Sequence, residues 1–351
     1  MAIANAEQRV YPASLTKMMT LYLTFRALQE GWLHLNDSMS VSAYAASASP
    51  TKLGLAPGQM VSVDDLIRGC VTESANDAAR VLAENLDARF GRNLQQLLRS
   101  DIAAQQAEDA ADAATDPPSA QDAAERAGDI AEMHALASSI TGDGSEYDFA
   151  RIMTLQARLL GMQDTVYRNA SGLPDMEQVT TAPDYAMLAY ALVNMPIQYY
   201  SYFSVQHFDY NGRDHRNHNL RFLTGYDGAD GIKTGYTQSG GFNVVDTARR
   251  GDRRLIAIVM GRRSVATREE DVRALLDYAF AQTGTVTAVS SNLNDDVLMV
   301  GSTLDFPTLQ TTGVRRVTPQ LPDLAPADAP MATRAAATQQ RRPAPITSTM
   351  R

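Results

Sequence analysis

The chain has 351 residues, enough for one large or two modest domains, and its 44% hydrophobic content is ordinary for a folded globular protein. A net charge of −9 and a pI near 5.1 leave no basic face for neutralising phosphates, so no nucleic-acid partner is expected and any anionic substrate has to be held by a few local cations. The single cysteine, Cys70, excludes an intramolecular disulfide and reads as a small core residue. Met1 to Glu7 offer neither a basic segment nor an apolar stretch, so no signal peptide is expected, and no window reaches the ~18 apolar residues of a membrane span.

In chain order, the apolar spacing from Ser14 to Glu30 predicts a largely buried helix that Gly31 closes, with Ser14 at its start. Val63 to Leu86 reads as helix, loop, helix, with Ser74-Ala75-Asn76 in the middle. From about Arg99 to Tyr147 the composition shifts to Ala, Asp, Gln and Glu around Pro117-Pro118, which predicts an inserted helical or partly disordered lobe outside the core, over residues 100–147. Phe149 to Leu160 and Asp184 to Val193 are amphipathic helices. Phe242 to Ala248 and Leu255 to Met260 are apolar runs joined by a charged, glycine-containing turn, which is a hairpin signal. Helical spacing returns from Arg268 to Phe280. After about Gln282 the chain has little to bury, so residues 283–351 are expected to form a disordered tail behind a folded unit at 1–282. Helices and antiparallel strands that do not alternate regularly predict an α+β fold, an antiparallel sheet flanked by helices with a helical subdomain.

Three short motifs carry the chemistry: Ser14-Leu15-Thr16-Lys17, Ser74-Ala75-Asn76 and Lys233-Thr234-Gly235. A serine at a helix start sits near the positive end of the helix dipole, and a lysine three residues on projects from the same face. Lys17 can therefore touch Ser14. A hydroxyl is a weak nucleophile, and an amine can serve as its base only when burial and neighbouring cations push it toward neutrality, a role closed to arginine. Lys233, on a strand entering the cleft, supplies such a cation and attracts a substrate carboxylate, while Gly235 lets a substrate backbone lie against that strand. Singly each motif is common by chance. The chain, however, contains only three lysines, Lys17, Lys52 and Lys233, and two fall inside the motifs. Lys52 reads as an exposed loop cation, and Glu73, beside Ser74, as surface. His207, His215 and His218 do not have zinc-ligand spacing around the turn Tyr210 to Arg213, so no metal and no cofactor is expected.

The longer strings around these motifs, Tyr11 to Thr20, Ser74 to Ala79, Asn169-Ala170-Ser171-Gly172-Leu173-Pro174 and Asp230 to Thr237, resemble the low-molecular-mass serine-type D-alanyl-D-alanine carboxypeptidases, a family of penicillin-binding proteins. The resemblance runs from about Asn5 to Phe280 apart from the lobe. It implies a β-lactamase/DD-peptidase-like fold and removal of the terminal D-Ala from peptidoglycan stem peptides through an acyl-enzyme on Ser14. Lys17 would accept the Ser14 proton, Ser74 would relay protons to the leaving amine, and Asn76 would hold the substrate amide. Lys233 and Thr234 would bind the terminal carboxylate with help from Arg268. The backbone N–H groups of Ser14 and Tyr236 would form the oxyanion hole.

The partners so implied are stem peptides ending in D-Ala-D-Ala and β-lactam antibiotics as covalent inhibitors, in the periplasm or cell envelope. Only thirteen residues precede Ser14, where relatives carry a secretion signal and a strand or two, and the tail resembles neither a C-terminal β-domain nor an amphipathic anchoring helix, so it gives no argument for membrane attachment. Two other readings stay open: a β-lactamase, for which no Glu-x-x-Leu-Asn-type string is found, and a truncated, inactive penicillin-binding scaffold.

Overall fold

The computed structural model describes residues 7–281 and 296–297, so the expected tail lies outside the described residues. A 3-10 turn, Ala13–Thr16, leads into α1 (Lys17–Gln29). Next come β1 (Ser38–Ser40), α2 (Ala43–Ala46), β2 (Met60–Ser62), α3 (Val63–Val71), α4 (Asn76–Thr115), α5 (Ala120–Ser139), α6 (Glu146–Leu159), α7 (Ala182–Val193) and α8 (Ile197–Tyr200). The hairpin β3 (His207–Tyr210) and β4 (Arg213–Arg216) turns on Asn211-Gly212, both at positive φ, the pairing that a tight two-residue hairpin loop requires. Helix α9 (Leu220–Gly225) then precedes β5 (Ala229–Thr237), β6 (Gly241–Arg250), β7 (Arg253–Arg262), α10 (Val265–Ala281) and β8 (Asp296–Val297).

Strands β5, β6 and β7 form an antiparallel sheet, with β8 pairing in parallel with β7. The two-residue period of the strands sorts their side chains. Val244, Ala248, Leu255, Ala257 and Val259 pack with Val272, Leu275 and Leu276 of α10 on one face. Val245, Ile256, Ile258 and Met260 face the other way and join a larger core shared with the helices. At the centre of that core lies α1, buried from Lys17 to Leu28, which explains why it is apolar on every side and not on one stripe. The α+β architecture expected from the sequence is the one observed.

The lobe divides in two. Helix α4 continues unbroken for 40 residues and α5 runs back along it. Residues 103–132 include no buried position, as the composition suggested. The base does not match that expectation: Ile102, Met133, Ala137 and Ile140 belong to the main core, and Arg26 of α1 pairs with Asp101 at 3.0 Å. A few well-spaced apolar residues suffice to dock a helix, and an average over forty residues conceals them. Among the described residues no helix is long and apolar enough to cross a membrane.

Candidate active site

Lys17 is fully buried at the first turn of α1 and reaches three acceptors: Ser14 Oγ at 3.1 Å, Asn76 Oδ1 at 2.7 Å and the Ser171 carbonyl at 2.6 Å. Two sequence motifs thus meet on one amine, together with a backbone carbonyl from the Asn169 to Pro174 segment. Burial pushes the Lys17 ammonium down to about 8, opposed by the carboxylates of Glu146 and Asp77. Lys233 is also buried, donates to the Thr234 carbonyl at 3.2 Å, and is pushed down to about 7, first by burial and then by the charge of Lys17. Each ammonium disfavours the other, and the low-dielectric surroundings amplify the repulsion.

Ser14 is held from two sides. Strand β5 brings Gly235 so close that an added Cβ would lie 3.1 Å from the backbone nitrogens of Ser14 and Leu15. Gly172, at φ +84, comes closer still, its Cβ position lying 1.8 Å from the Ala13 carbonyl oxygen. Asn243 of β6 donates to the Tyr11 and Pro12 carbonyls at 3.0 and 3.3 Å, completing the seat of the turn. Ala13 itself adopts φ +52, which kinks the chain just before Ser14, and Ser14 is half-buried.

Ser74 sits in the turn between α3 and α4 at φ +59, its hydroxyl buried and without a hydrogen-bond partner. Asn76 opens α4, bonding Lys17 with its carbonyl oxygen and the Ser49 carbonyl with its amide at 3.2 Å. Thr234 is buried beside Lys233, while Tyr236, past Gly235 on β5, is exposed and packs its ring at a tilt against Phe242. Arg268 departs from a simple cleft cation. It is buried on α10, hydrogen-bonded to Glu269 at 2.8 Å, and near enough to Lys233 to add to the pressure on that ammonium.

Several contacts here have no counterpart in the sequence reading. The Ser171 carbonyl and Gly172 act through the backbone, and Asn243 acts through a side-chain amide that donates to the Tyr11 and Pro12 carbonyls. Glu146 accepts from the Ala170 N–H at 2.9 Å and so fixes the loop that presents Ser171. Asp77 gathers the N–H groups of Leu53, Gly54 and Leu55 at 2.9–3.1 Å, fixing the loop that carries Lys52, which is exposed. Glu73, expected at the surface, instead accepts from buried His215 at 2.9 Å, because the turn swings it toward β4. His207 pairs with Asp214, so these two histidines are engaged in separate contacts.

A family model described as D-alanyl-D-alanine carboxypeptidase matches residues 1–88 and 129–264, leaving the tip of the lobe and Arg268 outside the match. The chain is similar to the D-alanyl-D-alanine carboxypeptidases DacF of Bacillus subtilis, 26% identical over 79% of this chain, and DacA of Escherichia coli, 30% identical over 80% of it. It spans 58% and 57% of the lengths of those two relatives. Among solved structures it is similar to penicillin binding protein 6B from Escherichia coli, with a TM-score of 0.61 and 27% identity, covering 79% of this chain and 72% of that one. Penicillin binding protein 5 from Haemophilus influenzae gives the same score and identity, covering 79% of this chain and 66% of that one. With the family match covering well over half of its residues, this chain belongs to the D-alanyl-D-alanine carboxypeptidase family.

Proposed function

We propose that this chain is a serine-type D-alanyl-D-alanine carboxypeptidase that removes the terminal D-Ala from peptidoglycan stem peptides, and that β-lactams acylate it. The observation that carries this reading is the buried, depressed Lys17 amine at 3.1 Å from Ser14 Oγ. Neutral Lys17 takes the Ser14 proton as Oγ attacks the carbonyl carbon of the penultimate D-Ala. The N–H groups of Ser14 and Tyr236 hold the developing oxyanion. The Ser74 hydroxyl passes a proton to the departing D-Ala amine, and water then cleaves the ester on Ser14. Asn76 orients the substrate amide, Gly235 admits its backbone, and Lys233, Thr234 and Arg268 hold its terminal carboxylate, Arg268 by exchanging Glu269 for the substrate. Such a substrate locates the work in the cell envelope, in the periplasm where one exists, with an effect on cell shape.

A Listeria monocytogenes relative, penicillin-binding protein D2, 25% identical, is known in an ampicillin-bound form, which supports β-lactams as ligands here. The test is incubation with a fluorescent penicillin followed by peptide mass mapping. A stoichiometric adduct on Ser14, abolished in Ser14→Ala and released slowly, is expected. Label on another serine sinks the mechanism, and rapid penicillin turnover replaces it with a β-lactamase.

A further inference from the structure

The turn that presents Ser74 combines a left-handed backbone in a residue with a Cβ and a buried hydroxyl lacking a partner. Such a conformation persists only where the surroundings over-determine it. On one side Thr51 brackets the turn, its hydroxyl donating to the Ser74 carbonyl at 3.1 Å and its carbonyl accepting from the Asn76 N–H at 2.9 Å. On the other side, the Thr72 carbonyl accepts from the His218 N–H at 3.2 Å, and the Glu73 carboxylate accepts from His215 Nδ1 at 2.9 Å. His215 is 1% exposed, and its second ring nitrogen has no partner, so Glu73 alone orients the ring through a hydrogen bond. A part-buried carboxylate contact of this kind is charge-assisted and correspondingly directional. The chain beyond His215 continues to Asn219, whose amide donates at 2.6 Å to Asp246 on β6, the strand that pairs with the one bearing Lys233.

The geometry points to Glu73 and His215 as positioning residues for Ser74: their contact ties the α3–α4 turn to β4 and so fixes the backbone that carries Ser74, two residues before Asn76, whose Oδ1 accepts from Lys17 at 2.7 Å. Neither side chain touches the reacting atoms. Both act through Ser74. The inference rests on the proposed function, since the position of Ser74 matters only if it moves protons for Ser14.

The test measures acylation rates by fluorescent penicillin in Glu73→Ala, His215→Leu, Glu73→Gln and His215→Asn, each with and without Ser74→Ala. Glu73→Ala and His215→Leu should slow acylation roughly ten- to a hundredfold, the size of a small misplacement of a catalytic group. Glu73→Gln keeps an acceptor and His215→Asn keeps a donor at the Nδ1 position, so both should recover to within about threefold of wild type. In the Ser74→Ala background, Glu73→Ala should add less than about threefold, because the group it positions is gone. His215→Leu keeps the pocket filled and serves if Glu73→Ala does not fold. A full-sized loss that persists without Ser74, or a wild-type rate in both Glu73→Ala and His215→Leu, overturns the positioning role. Absence of any Ser14 label in the wild-type chain overturns the proposed function and this inference with it, whereas a labelled wild type with additive losses sinks the inference alone.

Discussion

Lys17 and Lys233 are cations in water whose ammonium forms are both disfavoured by burial in the cleft, and each residue pays a different cost for that. Lys17 is compensated by three acceptors, so its burial is tolerable, and its proton is the one that must leave before Ser14 can react. Acylation should therefore rise with pH through about 8, as Lys17 deprotonates, and level off above. Lys17→Arg keeps the charge but cannot lose it near neutral pH, so acylation should fall by roughly a thousandfold, within the ~10²–10⁴ range of general-base removal, with no rising limb. Lys52→Arg, on an exposed loop, is the control, and equal losses in both variants would show that the amine is not the base. Lys233 is less well compensated. Replacing a buried charge by an apolar group of similar length is often stabilising by about 1–4 kcal/mol, so Lys233→Met should raise the thermal midpoint while depressing peptide turnover. The sign with pH follows from its lowered value: the native cost is fully present below about 7 and vanishes as pH rises toward the unfolded value of 10.5, so the gain should shrink over that window. A gain constant from pH 6 to 10 would refute the assignment.

At the scale of elements, the nucleophile turn is a junction of four segments, and glycine at two of them lets it close. Gly172 carries two separate constraints: a left-handed φ, which costs a side chain about 1–3 kcal/mol, and a Cβ position that overlaps the Ala13 carbonyl. Gly31, at φ +71 with open space around it, carries only the first. Gly172→Ala should therefore lower the thermal midpoint well beyond Gly31→Ala, and among molecules that still fold should slow acylation at least tenfold by shifting Ser14. Equal effects of the two would mean that the loop yields without disturbing the turn. This junction also shows why the site was only partly legible in sequence. Ser14 and Lys17 are three residues apart on one helix start, so their contact follows from local geometry, and the scarcity of lysine singled out Lys233. The α3–turn–α4 element and the β6–β7 hairpin were readable for the same reason, from period and turn chemistry. The Ser171 carbonyl, by contrast, is a main-chain atom that any residue could supply, and the Glu73–His215 contact joins positions 142 apart in the chain, which no local pattern encodes. Ser74 could be named as a site residue, but its left-handed backbone could not be read from a residue type that normally avoids it.

At the scale of the whole molecule, the lobe raises the question of how far a helix can extend beyond the core that stabilises it. Forty residues at 1.5 Å each make α4 about 60 Å long, far more than the helical core beneath it requires. Its first two thirds are anchored by the core, and Ile102 is its last fully buried residue. Helix α5 runs along it on both sides of that point in an antiparallel register, with Gln95 bonding the carbonyl of Ile140, Arg99 meeting Ser138 and, beyond Ile102, Asp109 near Arg126. That register makes residues 106 and 129 near neighbours, so a short glycine-rich turn can replace 107–128 without moving either base. The segment removed contains no buried residue; its ion pair at 3.9 Å is of a type worth about 0–1 kcal/mol, and its side-chain hydrogen bonds, such as Ser119 with Asp122 and Gln121 with Glu125, are exposed and lie within the segment itself. It also lies within the stretch that the family model leaves unmatched. The shortened protein should therefore keep a single cooperative melt within a few degrees of wild type and acylate Ser14 at the same rate. Met133→Ala is the contrast: a single methionine at 3% exposure, packed where α5 meets the core, whose truncation should cost about 2–5 kcal/mol. If the 22-residue deletion destabilises more than that one side chain, the boundary between core and extension lies further out than the burial of Ile102 and Met133 places it.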